Sequence, residues 1–267
     1  MKRKEFIQML GLSIASCAIV PNLFANKIET PCDEEICNAA WTKLCGNSPV
    51  VYKNDAFNYV HPVDTKLNVL LYGDSISIAY TPEVRERLKD NASVFRLHTN
   101  GGSSRDFISN MLKMEETMFQ PNLVKGWDFK WDIIHFNVGL HDLKYLKGKN
   151  LNKKEGVQVS SITDYKTNLD EICKFLKTKF PKAKLIFATT TPVPANEKGR
   201  FEGDSIKYNK AAMDILVNHP DITINDLYSF SKPHFNEWTQ GPGNVHYNEI
   251  GYTKQGDRVA KIIFDNL

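Results

Sequence analysis

The sequence predicts an α/β fold, a three-layer α/β/α sandwich around a central five-stranded parallel sheet. Short apolar runs alternate with helical patterns along most of its 267 residues, an order typical of parallel strands joined by crossover helices. The predicted strands are residues 68–72, 93–98, 131–138, 184–189 and 222–225. The predicted helices lie near residues 82–89, 104–113, 161–180, 205–218 and 249–264. The Lys-, Asn- and Gly-rich stretch 144–160 is expected to be a surface loop.

Composition indicates one globular domain behind an N-terminal extension. The chain is 42% hydrophobic and 24% charged, which suits a single sizeable core. The domain is predicted to span residues 67–267, and residues 26–66 form a Cys-containing extension that packs on it, with a helical pattern at 34–44. The formal net charge is +3. No block of basic residues interleaves with aromatic ones beyond the first 25 positions, so nucleic acid is not an expected partner.

Residues 1–25 have the order of an export signal, because residues 2–4 are basic and an apolar stretch follows them. Cleavage after Ala25 would release a soluble exported protein. Residues 14–17 resemble a lipobox instead, in which Cys17 would become a lipidated and membrane-anchored N-terminus. The sequence therefore predicts export to the periplasm or the cell surface and leaves the anchor open.

Cysteine usage agrees with export. Cys32, Cys37 and Cys45 lie close together in the extension, and Cys173 lies on a predicted helix. A disulfide within the cluster suits an oxidising compartment. The spacings do not match a zinc site. The remaining cysteine of the cluster would pair with Cys173, stay free or bond another chain, and the sequence leaves these alternatives open.

Ser75 is the candidate nucleophile. It follows the apolar run 68–72 and a Gly-Asp pair, where a strand turns sharply into a helix. Such a turn presents a side chain at the carboxyl edge of the sheet, where open α/β folds place their sites. A serine hydroxyl needs a base, usually a histidine.

Three later segments place polar residues at the same edge. Residues 99–105 follow the second strand and contain the pair Gly101-Gly102, which suits either close backbone approach to a ligand or a helix cap. Residues 137–142 follow the third strand. His246 lies in a loop directly before the last helix, from which a side chain can reach across the sheet edge.

A metal site built from His135, His141, Asp142 and His246 is a weaker interpretation of the same residues. His135 lies on the strand well before the loop that carries His141, so shared coordination is geometrically poor. The sequence predicts neither a metal nor a cofactor.

These four segments, in this order, resemble the SGNH (GDSL-type) hydrolase family, whose fold is flavodoxin-like. Residues 73–75 are similar to its Gly-Asp-Ser block, Asn100 and Gly102 to its Asn-x-Gly block, residues 139–142 to its third block, and His246 to its last. The resemblance covers about residues 67–267. It implies that Ser75 is the nucleophile and His246 its base. It also implies that the N–H groups of Ser75 and Gly102 and a third-block side chain hold the oxyanion.

The sequence departs from the family at two positions. His141 stands where the family usually has asparagine; a neutral imidazole could donate one N–H to the oxyanion, and a protonated one would add charge. Alternatively, His141 is only a turn residue. Gly243 stands where the family has the aspartate that orients the histidine. Asn244, Asp226 or a backbone carbonyl could replace that aspartate, or the enzyme could work as a Ser-His dyad.

The resemblance implies a serine esterase, and family members commonly deacylate carbohydrates. The predicted reaction is therefore removal of an acetyl or other acyl group from a small-molecule or glycan ester. Candidate substrate contacts are Asp74, Asn100, Asp142, Trp238 and Tyr247, and Trp131 is a further aromatic candidate. Asp74 also suits a structural role in the turn. The alternative is a catalytically impaired SGNH-fold module that binds a glycan or protein, and the presence of both Ser75 and His246 argues against it.

Overall fold

The structure is a computed structural model that describes residues 33–48, 51, 54–120 and 126–267. The predicted export signal and Cys17 and Cys32 lie outside the described residues. Within those ranges, no helix reaches the length and apolarity needed to cross a membrane.

The central sheet has five parallel strands in the order β2-β1-β3-β7-β8, which confirms the predicted fold class. Valines and isoleucines of neighbouring strands face each other in register, as at Val69 with Val94 and with Ile133. Buried side chains occupy both faces, as expected for a sheet covered by helices on each side. The strands are β1 (Leu67–Tyr72), β2 (Ala92–Arg96), β3 (Ile133–Phe136), β4 (Tyr145–Lys147), β5 (Asn150–Leu151), β6 (Val157–Gln158), β7 (Lys184–Ala188) and β8 (Thr223–Asn225).

The helices form two layers. Helix α2 packs against α8, while α4 contacts both α3 and α5; right-handed crossovers place these two groups on opposite faces of the sheet. The helices are α1 (Glu34–Cys45), α2 (Ser75–Leu88), α3 (Phe107–Met118), α4 (Ile162–Lys179), α5 (Asp204–Leu216), α6 (Leu227–Ser231), α7 (Phe235–Trp238) and α8 (Glu249–Phe264).

Helix α2 begins seven residues before the predicted start at 82. The Asp74 side chain accepts a hydrogen bond from the Ile76 N–H and caps the helix there. Pro82 lies inside the helix rather than in its first turn. The early start makes Ser75 the first residue of the helix.

Residues 144–160 are not the simple surface loop that the sequence predicts. They contain a three-stranded antiparallel sheet in the order β5-β4-β6. Its strands have only two or three residues each, too few to show an alternating pattern in the sequence. The Tyr145 N–H donates to the Gly199 carbonyl (2.7 Å) and the Lys153 N–H to the Lys198 carbonyl (2.9 Å). These bonds join the small sheet to the segment 195–201.

The N-terminal extension packs on the domain through α1. The Trp41 ring lies 5.8 Å from that of Trp127, and its indole N–H donates to the Phe57 carbonyl (2.7 Å). In the described part of the chain, Cys45 and Cys173 form no disulfide. Burial raises the pKa of the Cys45 thiol to about 12, so this thiol stays protonated.

Candidate active site

Ser75 lies at the carboxyl edge of the sheet, three residues beyond the end of β1. The loop after β2 approaches this turn closely: the Gly101 N–H donates to the Gly73 carbonyl (3.0 Å). A side chain at position 101 would place its Cβ 2.7 Å from the Tyr72 ring, so only glycine fits there. Because Ser75 is in the first turn of α2, its N–H has no intrahelical acceptor and lies at the positive end of the helix dipole.

Arg96, at the end of β2, forms hydrogen bonds with the turn that carries Ser75. It was not among the candidates from the sequence. Its side chain is fully buried, and burial lowers the pKa of the guanidinium to about 9. The guanidinium lies 4.7 Å from the centre of the Phe57 ring. It donates to the carbonyls of Leu97 (2.8 Å), Thr99 (2.8 Å), Gly73 (3.0 Å) and Asp74 (3.3 Å) and to the Ser77 hydroxyl (3.0 Å).

His246 contacts Ser75 across the sheet edge. The distance from His246 Nε2 to Ser75 Oγ is 2.9 Å, although the two residues are 171 positions apart in the chain. Burial lowers the pKa of His246; the Asp74 carboxylate opposes this shift and the Arg200 charge adds to it. The imidazole is therefore held in the neutral form that a general base requires.

Asn244 orients His246. Its Oδ1 lies 2.8 Å from His246 Nδ1 and also accepts the backbone N–H of His246 (3.0 Å). Since a backbone N–H only donates, this atom is the oxygen, and Nδ1 carries the ring proton. The Asn244 amide in turn donates to Gln240 Oε1 (3.2 Å), and Gln240 donates to the Tyr247 carbonyl (3.1 Å). This series of hydrogen bonds leaves Nε2 of His246 free to accept the Ser75 proton.

The backbone at Gly243 explains why the orienting residue is shifted by one position. Gly243 has a φ of +72°, in the left-handed region, and a Cβ there would lie 2.8 Å from the Asn196 carbonyl oxygen. An aspartate at 243 does not fit this turn.

His141 lines the same cleft as Ser75. Its Nδ1 lies 3.0 Å from Lys144 Nζ. An ammonium only donates, so Nδ1 is the acceptor and Nε2 carries the proton. Burial, followed by the charges of Lys144 and Arg200, lowers the pKa of His141 to about 3. His141 is thus a neutral N–H donor, and the protonated alternative raised by the sequence is wrong.

The second-block residues are placed differently from the expectation. Asn100 lines the cleft with Ser75. The Gly102 N–H, expected to hold the oxyanion, instead donates to Asn100 Oδ1 (3.1 Å). Among the donors expected from the sequence, the Ser75 N–H and the His141 ring remain open at the site.

Three acidic residues from the sequence-based candidates have structural roles. Asp74 is buried and caps α2, and burial raises the pKa of its carboxyl. Asp142 is fully buried, and its carboxylate accepts the N–H and the hydroxyl of Ser104. Asp226 accepts the Thr189 hydroxyl and the Ser229 N–H, 3.0 Å each. Asp74 and Asp142 are not among the residues that line the cleft of Ser75, and Asp226 does not orient His246.

The aromatic candidates for sugar stacking are also buried. Trp238 is 5% exposed and stacks on His234 at 4.5 Å, and Tyr247 is 1% exposed. Trp131 is 2% exposed and precedes β3, at the opposite edge of the parallel sheet from Ser75. None of the three offers a ring face to the cleft, because each fills the core around it.

The cleft has a basic wall that sequence reasoning missed. Its volume is about 590 Å³. Besides the residues already described, its lining includes Lys149, Glu197, Lys198 and Arg200. Arg200 is buried and donates to the Leu140 carbonyl (2.8 Å) and to Glu197 (3.0 Å). The sequence signals were the Lys-rich stretch 144–160 and the three charged residues within 197–200.

The metal-site alternative finds no support in the geometry. His135 is fully buried, and its Nε2 lies 3.1 Å from the Asn225 amide nitrogen. Among the described residues, no group of three or more His, Cys, Asp or Glu side chains is arranged to hold a metal ion.

No protein-family model matches the sequence, and no curated protein matches it. Solved structures do match. The lipase/acylhydrolase from Enterococcus faecalis is 16% identical with a TM-score of 0.57, over 75% of this chain and 97% of that one. An acetyl xylan esterase is 18% identical with a TM-score of 0.54, over 74% and 100%. A member of the lipolytic protein G-D-S-L family from Veillonella parvula is 16% identical with a TM-score of 0.51, over 74% and 98%.

At these identities the likeness establishes the fold. The chain has the α/β/α fold of these solved structures, which confirms the fold that the resemblance implied.

Proposed function

We propose that this protein is an exported serine esterase that removes acyl groups from carbohydrates through a Ser75-His246-Asn244 triad. One observation carries the proposal: Ser75 Oγ lies 2.9 Å from a histidine whose other ring nitrogen is held by an amide oxygen at 2.8 Å. A nucleophile, its base and an orienting acceptor in hydrogen-bond contact are the signature of covalent acyl transfer.

The first half of the reaction forms an acyl-enzyme. His246 Nε2 takes the Ser75 proton as Oγ attacks the ester carbonyl carbon, and the carbonyl electron pair moves onto the oxygen. The Ser75 N–H and the His141 Nε2–H are the donors proposed to hold this oxyanion. When the tetrahedral intermediate collapses, its C–O bond to the alcohol breaks and the His246 imidazolium protonates the departing oxygen.

The second half releases the acid. A water molecule gives a proton to His246 Nε2 and attacks the acyl carbon, forming a second tetrahedral intermediate. Its collapse breaks the bond to Ser75 Oγ, which recovers a proton from His246. The atoms balance as ester plus water giving acid plus alcohol.

Carbohydrate as the alcohol and export as the location are the finer parts of the proposal. The similarity of the fold to an acetyl xylan esterase supports a sugar ester. A cleft of about 590 Å³ suits one or two sugar rings. Export is supported by the basic-then-apolar order of residues 1–25.

The test compares the wild type with Ser75→Ala on p-nitrophenyl acetate and on acetylated oligosaccharides, measuring acid release. Ser109→Ala is the matched control, because Ser109 is exposed on α3 and bonds only the Asp106 carbonyl. We expect hydrolysis by the wild type and by the control, and none by Ser75→Ala. A wild type that hydrolyses no ester in a broad acyl panel would refute the esterase and favour the glycan- or protein-binding module.

A further inference from the structure

We propose that the substrate is an anionic ester, an O-acyl sugar that bears an acid group, and that the basic wall of the cleft binds this group. The inference rests on the proposed function, since it names the substrate class of the same site. Of the five charged side chains that line the cleft, four are basic; they are Lys144, Lys149, Lys198 and Arg200.

The single acidic residue in the lining does not neutralise the wall. Glu197 is 4% exposed, and its two oxygens are occupied by Arg200 Nη1 (3.0 Å) and by the Gly199 N–H (2.6 Å). It therefore balances Arg200 and forms no ion pair with the lysines. Within the described part of the chain, no carboxylate forms an ion pair with Lys144, Lys149 or Lys198.

Two other lysines in the region of the small sheet have protein partners. Lys147 forms an ion pair with Glu155. Lys153 donates to the Ala195 carbonyl (3.0 Å) and lies 5.5 Å from the centre of the Phe201 ring. With the residues that the structure describes, the lysines lining the cleft form no such contacts, apart from Lys144 with His141.

The basic wall is a built surface rather than a mobile tail. Lys149 lies in the turn between β4 and β5, and Lys198 lies in the segment 195–201. The bonds from Lys153 N–H to the Lys198 carbonyl and from Tyr145 N–H to the Gly199 carbonyl hold these two segments together. The backbone that carries Lys149 and Lys198 is therefore held at the cleft by hydrogen bonds.

The charge of the cleft is local. The whole chain has 34 basic and 31 acidic residues, and a cleft that concentrates one sign of charge focuses its field on a ligand of opposite sign. Like charges held together without a partner repel one another. Burial and the Arg200 charge also lower the pKa of Lys144, and this effect exceeds the opposing one of the Asp106, Asp74 and Asp142 carboxylates. A bound anion would relieve that repulsion, whereas a neutral sugar would not.

The test uses substrates that differ only in charge: O-acetylglucuronic acid and the neutral O-acetylglucuronamide, with an O-acetylated sugar phosphate as a second acidic arm. We expect the wild type to favour an acid over the amide by about tenfold in kcat/KM, since screened contacts with two or three lysines each contribute a few-fold. The preference should fall as salt rises. The carboxylate and phosphate arms identify the acid group.

The variant Lys149→Gln/Lys198→Gln removes two charges and leaves Lys144 in contact with His141. We expect its ratio of kcat/KM for acid over amide to fall toward one. Lys154→Gln is the matched control, because Lys154 is exposed on the same small sheet but does not line the cleft. Equal kcat/KM for acids and amide in the wild type would overturn the proposal.

Failure of the inference can be told apart from failure of the esterase proposal. Ser75-dependent hydrolysis of p-nitrophenyl acetate without any preference for acid would leave the esterase intact and reject the anionic substrate. If no ester is hydrolysed, binding of the same substrates to Ser75→Ala by calorimetry decides. Tighter binding of an acid, lost in the triple variant with both lysine changes, would uphold the basic subsite, and equal binding would reject it.

Discussion

The two histidines that line the cleft have opposite hydrogen-bonding roles. His246, in the loop before α8, donates from Nδ1 to the Asn244 oxygen and accepts at Nε2 from Ser75. His141, in the loop after β3, accepts at Nδ1 from the Lys144 ammonium and so carries its proton on Nε2. The first is arranged as a base and the second as a donor.

Each role is set by one nearby residue in the chain, two positions before His246 and three after His141. An amide oxygen beside Nδ1 fixes one tautomer, and an ammonium beside Nδ1 fixes the other. Burial lowers the pKa of both rings, which favours the neutral form of each. Neutral His246 can act as the base, and neutral His141 keeps a single N–H. The residue beside Nδ1 therefore determines whether each histidine acts as a base or as a donor.

The largest effect is expected for His246→Ala. Loss of the base leaves Ser75 without a proton acceptor, and kcat/KM for p-nitrophenyl acetate should fall by about 10⁴-fold or more. Stopped-flow or steady-state kinetics measure the loss of kcat/KM, and an unchanged thermal unfolding midpoint shows that the fold is intact. A folded variant that keeps more than a tenth of the activity would mean that another base serves Ser75.

His141→Ala should have the next largest effect and a different kinetic signature. Removal of one oxyanion donor typically lowers kcat by about 10²- to 10³-fold. KM should change little, because the donor acts on charge that develops after binding. His141→Gln retains an N–H and should recover part of the loss. If kcat is unaffected by either change, His141 is only a turn residue.

Lys144→Glu tests whether the lysine sets the His141 tautomer. A carboxylate would accept a hydrogen bond from Nδ1–H, so the neutral ring would carry no proton on Nε2. We expect kcat to fall by about 10²-fold, the lower end of the effect of losing a donor. Lys144→Gln can still donate to Nδ1 and should retain most activity. The ¹⁵N shifts of the His141 ring report the tautomer directly.

The control for that experiment is Lys149→Glu, which makes the same charge change in the cleft without touching His141. With neutral p-nitrophenyl acetate as substrate, this control isolates the effect of the changed electrostatic field in the cleft on kcat. Equal losses in Lys144→Glu and Lys149→Glu would show that charge, and not the tautomer, governs activity.

The sequence predicted the strands and loops that position the site better than the roles of its polar residues. The parallel sheet follows from apolar runs that are buried on both faces, and it brings the ends of β1 and β3 to one edge. From there the contact between Ser75 and His246 needs only a loop of the right reach. The small sheet at 145–158 was missed because its strands have only two or three residues each. Its bonds to the segment 195–201 join residues far apart in the chain.

Which polar residue plays which role depends on tertiary contacts that leave no mark on local sequence. Asn244 and Asp226 were equal candidates for orienting His246, and only the structure shows that Asp226 is engaged by Thr189 and Ser229. The aromatics failed as substrate contacts for a similar reason: Trp238 and Tyr247 lie next to the site in sequence but point into the core. The basic wall joins side chains from segments some fifty residues apart.

The smallest effect, and the most specific one, is expected from Asn244→Asp. A neutral amide gives the His246 imidazolium no opposite charge, and burial lowers the pKa of His246 below its ordinary value of 6.5. A carboxylate in place of the amide favours the protonated ring and should raise the pKa of His246 by about one unit or more. Because the base works only when it is neutral, the acid limb of kcat/KM should move to higher pH by that amount.

The pH–rate profiles of wild type, Asn244→Asp and Asn244→Ala measure this shift. Asn244→Ala removes the acceptor without adding charge, so its rate should fall at every pH while the acid limb does not move upward. An acid limb that stays in place in Asn244→Asp would contradict the contact between Nδ1 and residue 244. It would also remove the basis for the contrast between the two histidines, because the His246 tautomer would then be set by some other acceptor.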